Sequence, residues 1–84
     1  MTLDDMSQRD NLLKKIRSHP KSVSFHDLDS LLRMYGYELD RVSGSHHIYA
    51  RQGHPSINVS RHGAQVHSAA VKEVLEMIDE SDND

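Results

Sequence analysis

Apolar residues recur along this chain at two spacings, and the change between them marks its organisation. Over residues 7–18, Leu12, Leu13 and Ile16 form a narrow stripe of helical period. Lys14, Lys15 and Arg17 stand near the C-terminal end of that segment, where the helix dipole favours cations. His19-Pro20 closes it, because a residue before proline avoids the helical region. Phe25, Leu28, Leu31, Leu32 and Tyr35 then return at spacings of three and four, which predicts a second amphipathic helix. Ser24 with Asp27 three residues later resembles a capping box with a shortened acid. Gly36 falls where the helix needs a left-handed C′ residue.

The period then drops to two. Residues 37–40 alternate as a half-buried strand does. Ser43-Gly44 reads as a hairpin turn, residues 46–51 as a second strand and Gln52-Gly53-His54-Pro55 as a second turn. Residues 56–60 form a third strand with Ile57 and Val59 on one face. Residues 61–67 read as a polar loop around Gly63, and Ser68 as the N-cap of a last helix. Val71, Val74, Leu75 and Ile78 line that helix's apolar face. Short connections favour an antiparallel meander. The expected class is α+β, with a three-stranded antiparallel sheet and helices on one face. One domain over 1–84 is expected: a helical extension over 1–23, a core over 24–79 and an acidic disordered tail over 80–84. Residues 1–5 are likewise expected to be loose, and no internal repeat is visible.

Composition narrows the partners. Eighty-four residues bury only a modest core. Cysteine is absent, which removes disulfides and thiolate zinc sites and makes a reduced, cytoplasmic setting the expectation. No apolar run approaches the roughly 20 residues of a membrane span, and no signal-peptide pattern opens the chain. Asn58-Val59-Ser60 fits the glycosylation pattern, a chance match in that setting. The net charge of −3 argues weakly against nucleic acid. Its acids, however, crowd the two ends. Between Gly36 and Ala70 stand Arg41, Arg51 and Arg61 against Glu38 and Asp40, with five histidines: His46, His47, His54, His62 and His67. An anionic partner fits that middle.

The chemistry concentrates in Ser43-Gly44-Ser45-His46-His47-Ile48-Tyr49, a flexible turn leading through two imidazoles into an apolar strand. Imidazole both accepts and donates a proton near neutral pH. In a regular strand the two histidines face opposite ways. His46 shares its face with Ile48 and Ala50, whose company points it toward the core, and His47 shares one with Tyr49 and Arg51. Gly44 and Ser45 suit close approach of a phosphate to backbone N–H groups, or simply an ordinary turn. Ser45 lacks the base and orienting group that a serine nucleophile needs.

Several of these elements together resemble the HicA toxin family of small bacterial RNA-cleaving toxins. The resemblance covers residues 25–78. It rests on a helix ending in Tyr35-Gly36-Tyr37, on Leu39-Asp40-Arg41-Val42 leading into Gly44-Ser45-His46-His47, and on Ile57-Asn58-Val59 followed by Ser60-Arg61-His62-Gly63. A closing amphipathic helix completes it. The resemblance implies an α-β-β-β-α fold like a double-stranded-RNA-binding domain, here with an additional N-terminal helix. It implies metal-independent cleavage of mRNA with His46 as the catalytic residue, and a HicB-type antitoxin that covers the site. Both readings of His46 meet if it opens the strand, at the sheet rim. The chain departs from the family in its segment over 1–23, its acidic balance, and Ser60 where proline is common.

RNA supplies its own nucleophile, the 2′-hydroxyl, so a base and an acid suffice for cleavage. Arg41, Arg51, Arg61, His47 and His62 are candidates to contact RNA, arginine offering bidentate geometry to phosphate. His62 is the first choice for a second proton-transfer group, while His67 precedes or caps the last helix. Tyr49 either stacks on a base or packs across strands. A zinc site needs three or four converging ligands, and no histidine spacing here matches one, so neither metal nor cofactor is expected. The alternatives to an enzyme are a non-catalytic RNA-binding module on the same fold and a protein-interaction domain whose acidic ends meet a basic partner.

Overall fold

The structure, a computed structural model, describes residues 2–82, with side chains over residues 8–81. Helices α1 (Thr2–Ser18) and α2 (Phe25–Met34) come first. Strands β1 (Glu38–Ser43), β2 (His46–Ala50), β3 (Ile57–His62) and β4 (Gln65–Val66) follow, and α3 (Ser68–Asp82) closes the chain. The four strands form one antiparallel meander in the order β1-β2-β3-β4. Among the described residues no helix is long and apolar enough to cross a membrane.

The helix signals act as their chemistry requires. The Ser24 hydroxyl accepts from the Asp27 N–H at 3.1 Å. Asp27 does not return the bond in a capping box; its carboxylate pairs instead with Lys15 of α1 at 2.9 Å. Tyr35 caps the C-terminus of α2, and Gly36 takes the left-handed turn at φ +89°. The carbonyl of His67 accepts the first bond of α3 from Ala70, one residue before the expected cap at Ser68.

Two expectations need correction at the chain's ends. Helix α1 begins at Thr2 rather than near residue 7. Ile16, buried in the same core as α2 and α3, anchors this segment, and Arg17 joins it to Asp79 of α3 at 2.7 Å. Helix α3 runs through Glu80 and Ser81 to Asp82, because no glycine or proline interrupts it after the buried Ile78. Of the tail expected to be disordered, Asn83 and Asp84 lie outside the described residues, as does Met1 at the other end.

The sheet has four strands, not three. β3 continues past Ser60 to His62, turns at Gly63-Ala64 and returns as β4, with Arg61 opposite Val66 and His62 opposite Gln65. Two residues are too few to leave a visible period of two, and only Val66 is apolar. β4 holds its place through the segment before α2. Val66 N–H donates to the Val23 carbonyl at 3.2 Å, and Phe25 N–H to the Ala64 carbonyl at 2.7 Å.

Helices cover one face of the sheet. Tyr49, Ile57, Val59 and Val66 point into that layer against Leu28, Leu31, Leu32, Val71, Val74 and Ile78. Tyr49 is fully buried, and its hydroxyl donates to Asp29 of α2 at 2.5 Å. Asp29 also accepts from Arg33 at 3.0 Å, so a cation stands beside the same carboxylate at the core's edge. Burial, then the bond to Asp29, pushes the Tyr49 pKa well above its ordinary value.

That shift has a direction that can be tested. The unfolded chain releases the Tyr49 proton near pH 10.0 and the folded chain only at much higher pH. Above about pH 10 the unfolded state therefore holds fewer protons, and stability falls with rising pH by up to about 1.4 kcal/mol per pH unit for this group. Below that pH the contribution is fully present. Urea denaturation from neutral to alkaline pH should show the fall. Tyr49→Phe should remove its share of the slope and cost about 1–2 kcal/mol at neutral pH.

Candidate functional site

The turn Gly44-Ser45 places the site. β1 and β2 pair as far as Ser43 opposite His46, leaving two residues to reverse the chain. Gly44 sits first in that turn at φ +59°, the conformation a two-residue hairpin of this kind asks of glycine. The Ser45 carbonyl accepts from the Arg61 N–H at 3.1 Å, which ties the turn to β3.

His46 is therefore the first residue of β2, flanked by Ser43 on one side and Ser60 on the other. It is exposed and lies on the face opposite the helices. The expectation of a core-facing His46 is overturned. The buried positions of β2 take the phase of Tyr49, the largest apolar side chain there, and His46 falls three residues away on the other face. Ile48 shares that outer face and is only half-buried.

Two side chains meet the His46 ring. Nδ1 lies 3.0 Å from the Ser60 hydroxyl. It lies 3.3 Å from Oδ1 and 3.1 Å from Nδ2 of Asn58. Asn58 and Ser60 point outward because Ile57 and Val59, which alternate with them, point into the core. Nε2 has no partner among the described residues and faces solvent. Both partners are ambivalent: a hydroxyl and a carboxamide each donate or accept. They therefore suit either tautomer of the neutral ring, one with a lone pair on Nε2 and one with a proton there. An imidazole so held can serve as base or acid. Sequence reading missed Asn58 and Ser60. The signal was present in the outward phase of β3 and the hairpin register that sets Ser60 opposite His46.

The other candidates divide between faces. Arg41 pairs with Ile48 and shares its outer face. His62 follows Ser60 by two along β3, on the same side, and its ring meets His67 edge-on at 4.4 Å. The His67 N–H donates to the Ser60 carbonyl at 3.1 Å, which ties the start of α3 to the strand that carries Ser60. His47 turns to the helix side, where its ring lies 4.7 Å from Phe25. The Arg61 guanidinium covers the same Phe25 ring at 4.1 Å, and its Nε donates to the Gly63 carbonyl at 2.7 Å. Arg51 lies beyond the other end of β2, packed over Gly36. Tyr49, being buried, offers no ring to a base. Among the described residues no three histidine or carboxylate groups stand together as a metal site.

Comparison with known proteins adds one match. The family described as HicA toxin of bacterial toxin-antitoxin covers residues 25–79, from the start of α2 through most of α3 and more than half of the chain. No curated protein and no solved structure matches.

The turn itself can be probed. No atom lies within 4 Å of a Cβ added at Gly44, so Gly44→Ala meets only backbone strain. It should cost about 1 kcal/mol in urea denaturation, and Gly44→Asn less, since asparagine tolerates positive φ.

Proposed function

This chain belongs to the HicA toxin family of bacterial toxin–antitoxin systems, and on that premise we propose that it cleaves messenger RNA with His46 moving the protons. Toxins of this family are generally RNA-cleaving and act with an antitoxin partner. The observation that carries the reading for this copy is the outward His46 ring, held at Nδ1 by Asn58 and Ser60 with Nε2 open.

In the proposed reaction Nε2 of His46 takes the proton of a ribose 2′-hydroxyl. The oxygen attacks the adjacent phosphorus, and the bond to the 5′-oxygen breaks. A second group returns a proton to that leaving oxygen, which makes a 5′-hydroxyl end beside a 2′,3′-cyclic phosphate. His62 is the proposed second group, being on the same face and strand as Ser60. No metal is required, because general acid–base help of this kind contributes roughly 10²–10⁴-fold. DNA, lacking the 2′-hydroxyl, is inert by this route.

Arg41, the Gly44-Ser45 turn and His62 form the proposed RNA surface beside His46. His47 and Arg61 flank Phe25 on the other side of the same turn, and serve by shaping it. Arg51, at the far end of the sheet, leaves the proposed contact set. A HicB-type antitoxin is proposed to cover this outer face, which no helix covers among the described residues.

The test is cleavage of a 5′-labelled RNA by the purified protein in excess EDTA. Parent protein should cut and leave cyclic-phosphate ends. His46→Ala should lower the rate by about 100-fold or more with the fold intact, since His46 is exposed and outside the core. Ser60→Ala and Asn58→Ala should each cost about five- to tenfold, the value of one orienting hydrogen bond. A folded His46→Ala that cuts as fast as the parent would contradict the assignment.

A further inference from the structure

The outer face of the sheet carries an apolar residue that the proposed proton transfers do not use. Ile48 follows His46 by two along β2, on the same side, at a step of about 6.6 Å. The register sets Arg41 of β1 opposite it on one flank and Asn58 of β3 on the other. These three residues make a row across three strands, next to the row of Ser43, His46 and Ser60. Ala50 continues the face one step further, opposite Glu38. No helix covers this side among the described residues, so Ile48 is a half-buried apolar floor in a polar surface.

The two flanks of that floor differ. The Asn58 carboxamide is committed to His46, with Oδ1 at 3.3 Å and Nδ2 at 3.1 Å from Nδ1 of the ring. Arg41 is exposed and takes no ion pair or hydrogen bond among the described residues. The other arginines are engaged there. Arg17 and Arg33 pair with carboxylates, Arg9 and Arg61 lie over aromatic rings, and Arg51 packs over Gly36. Arg41 therefore brings a free, planar fork of donors to the edge of the Ile48 floor.

A flat ring with acceptors along one edge matches this row, and the RNA that His46 is proposed to cut carries a base at every nucleotide. A base resting on Ile48 has left its stack, which a single strand permits and a paired A-form helix does not. Guanine sets N7 and O6 side by side, the pair that an arginine fork grips bidentately. Adenine sets an amino donor beside N7 and so offers the fork one acceptor, while the pyrimidines cover less of the floor. Glu38, one row further, marks the far limit, since its carboxylate repels phosphate.

We propose that the Ile48 row seats one unstacked guanine of a single-stranded RNA, gripped by Arg41, beside the bond that His46 breaks. The proposal rests on the RNA-cleaving reading of His46 and gives that site a base preference and a choice of single strands over duplex.

The experiment is an NMR titration of the full, 15N-labelled chain with 2′-O-methylated hexanucleotides, which cannot be cut by this route. One position carries guanine, adenine or no base, and the other five carry uracil. The guanine strand should bind at least about fivefold more tightly than the adenine strand and shift the amides of Arg41, Ile48 and Asn58. The strand lacking that base should bind more weakly than either. Arg41→Lys keeps the charge, loses the fork, and should bring guanine and adenine to within about twofold of each other. Arg41 is exposed, so the fold is kept. Annealing the guanine strand to its complement should abolish the shift at Ile48. Equal binding of the three strands, with shifts on the outer face, would overturn the base site while leaving the RNA reading standing, and would turn Ile48 into a contact for an apolar side chain of a protein partner. No outer-face shift with any strand would overturn both. A duplex that shifts Ile48 as the single strand does would overturn the choice of single strands.

Discussion

Tyr49 decides which side of the sheet is the inside. Its ring is the largest apolar group on β2, and its hydroxyl has a charged acceptor waiting on α2. A strand's side chains alternate, so fixing one residue fixes all of them, and a slip of one position would exchange the faces. With Tyr49 inward, His46 must point outward. The register to β3 then sets Ser60 opposite His46 and leaves Asn58 one outward step away. The proposed catalytic group therefore owes its place to a core tyrosine that takes no part in the chemistry.

The same phase divides the charges. On the helix side, acids are paired: Asp27 with Lys15, Asp29 with Arg33 and Asp79 with Arg17. Two of these pairs join α1 to the rest, so the segment before residue 25 is packed into the core that the family match begins with. On the outer face stand Arg41, His46, His62 and His67 beside neutral Asn58 and Ser60. An overall charge of −3 thus coexists with a face suited to an anion. Net charge was a poor guide because most of the acids sit on the three helices, while β1 carries only Glu38 and Asp40 beside Arg41.

Long-period signals were the legible ones. The two-turn face of α2, its serine cap and Gly36 all appear where the sequence places them, since each depends on near neighbours alone. The hairpin turn was legible for the same reason, though the pairing of Ser43 with His46 sets it at Gly44-Ser45, one residue later than Ser43-Gly44. What stayed hidden depends on pairing between distant residues. β4 has two residues and is held by Val23 and Phe25, some forty positions earlier, which no local pattern reports. His46 looked core-facing because Ile48 and Ala50 share its phase, and only packing against α2 shows that Tyr49 outbids them. The roles of Asn58 and Ser60 needed the register across two strands. In the family resemblance Ser60 registers as a substitution for proline. In the fold it is a hydrogen-bond partner of the central histidine.

The central claim is that the outer face around His46, and not the helical side, meets RNA. The most direct measurement is an amide chemical-shift map of the full chain with a 2′-O-methylated RNA, which has no free 2′-hydroxyl and so cannot be cut by this route. The account predicts shifts concentrated at the Gly44-Ser45 turn, His46, Ile48, Asn58, Ser60 and His62. Shifts concentrated on α1 or α3, with the outer face silent, would contradict it.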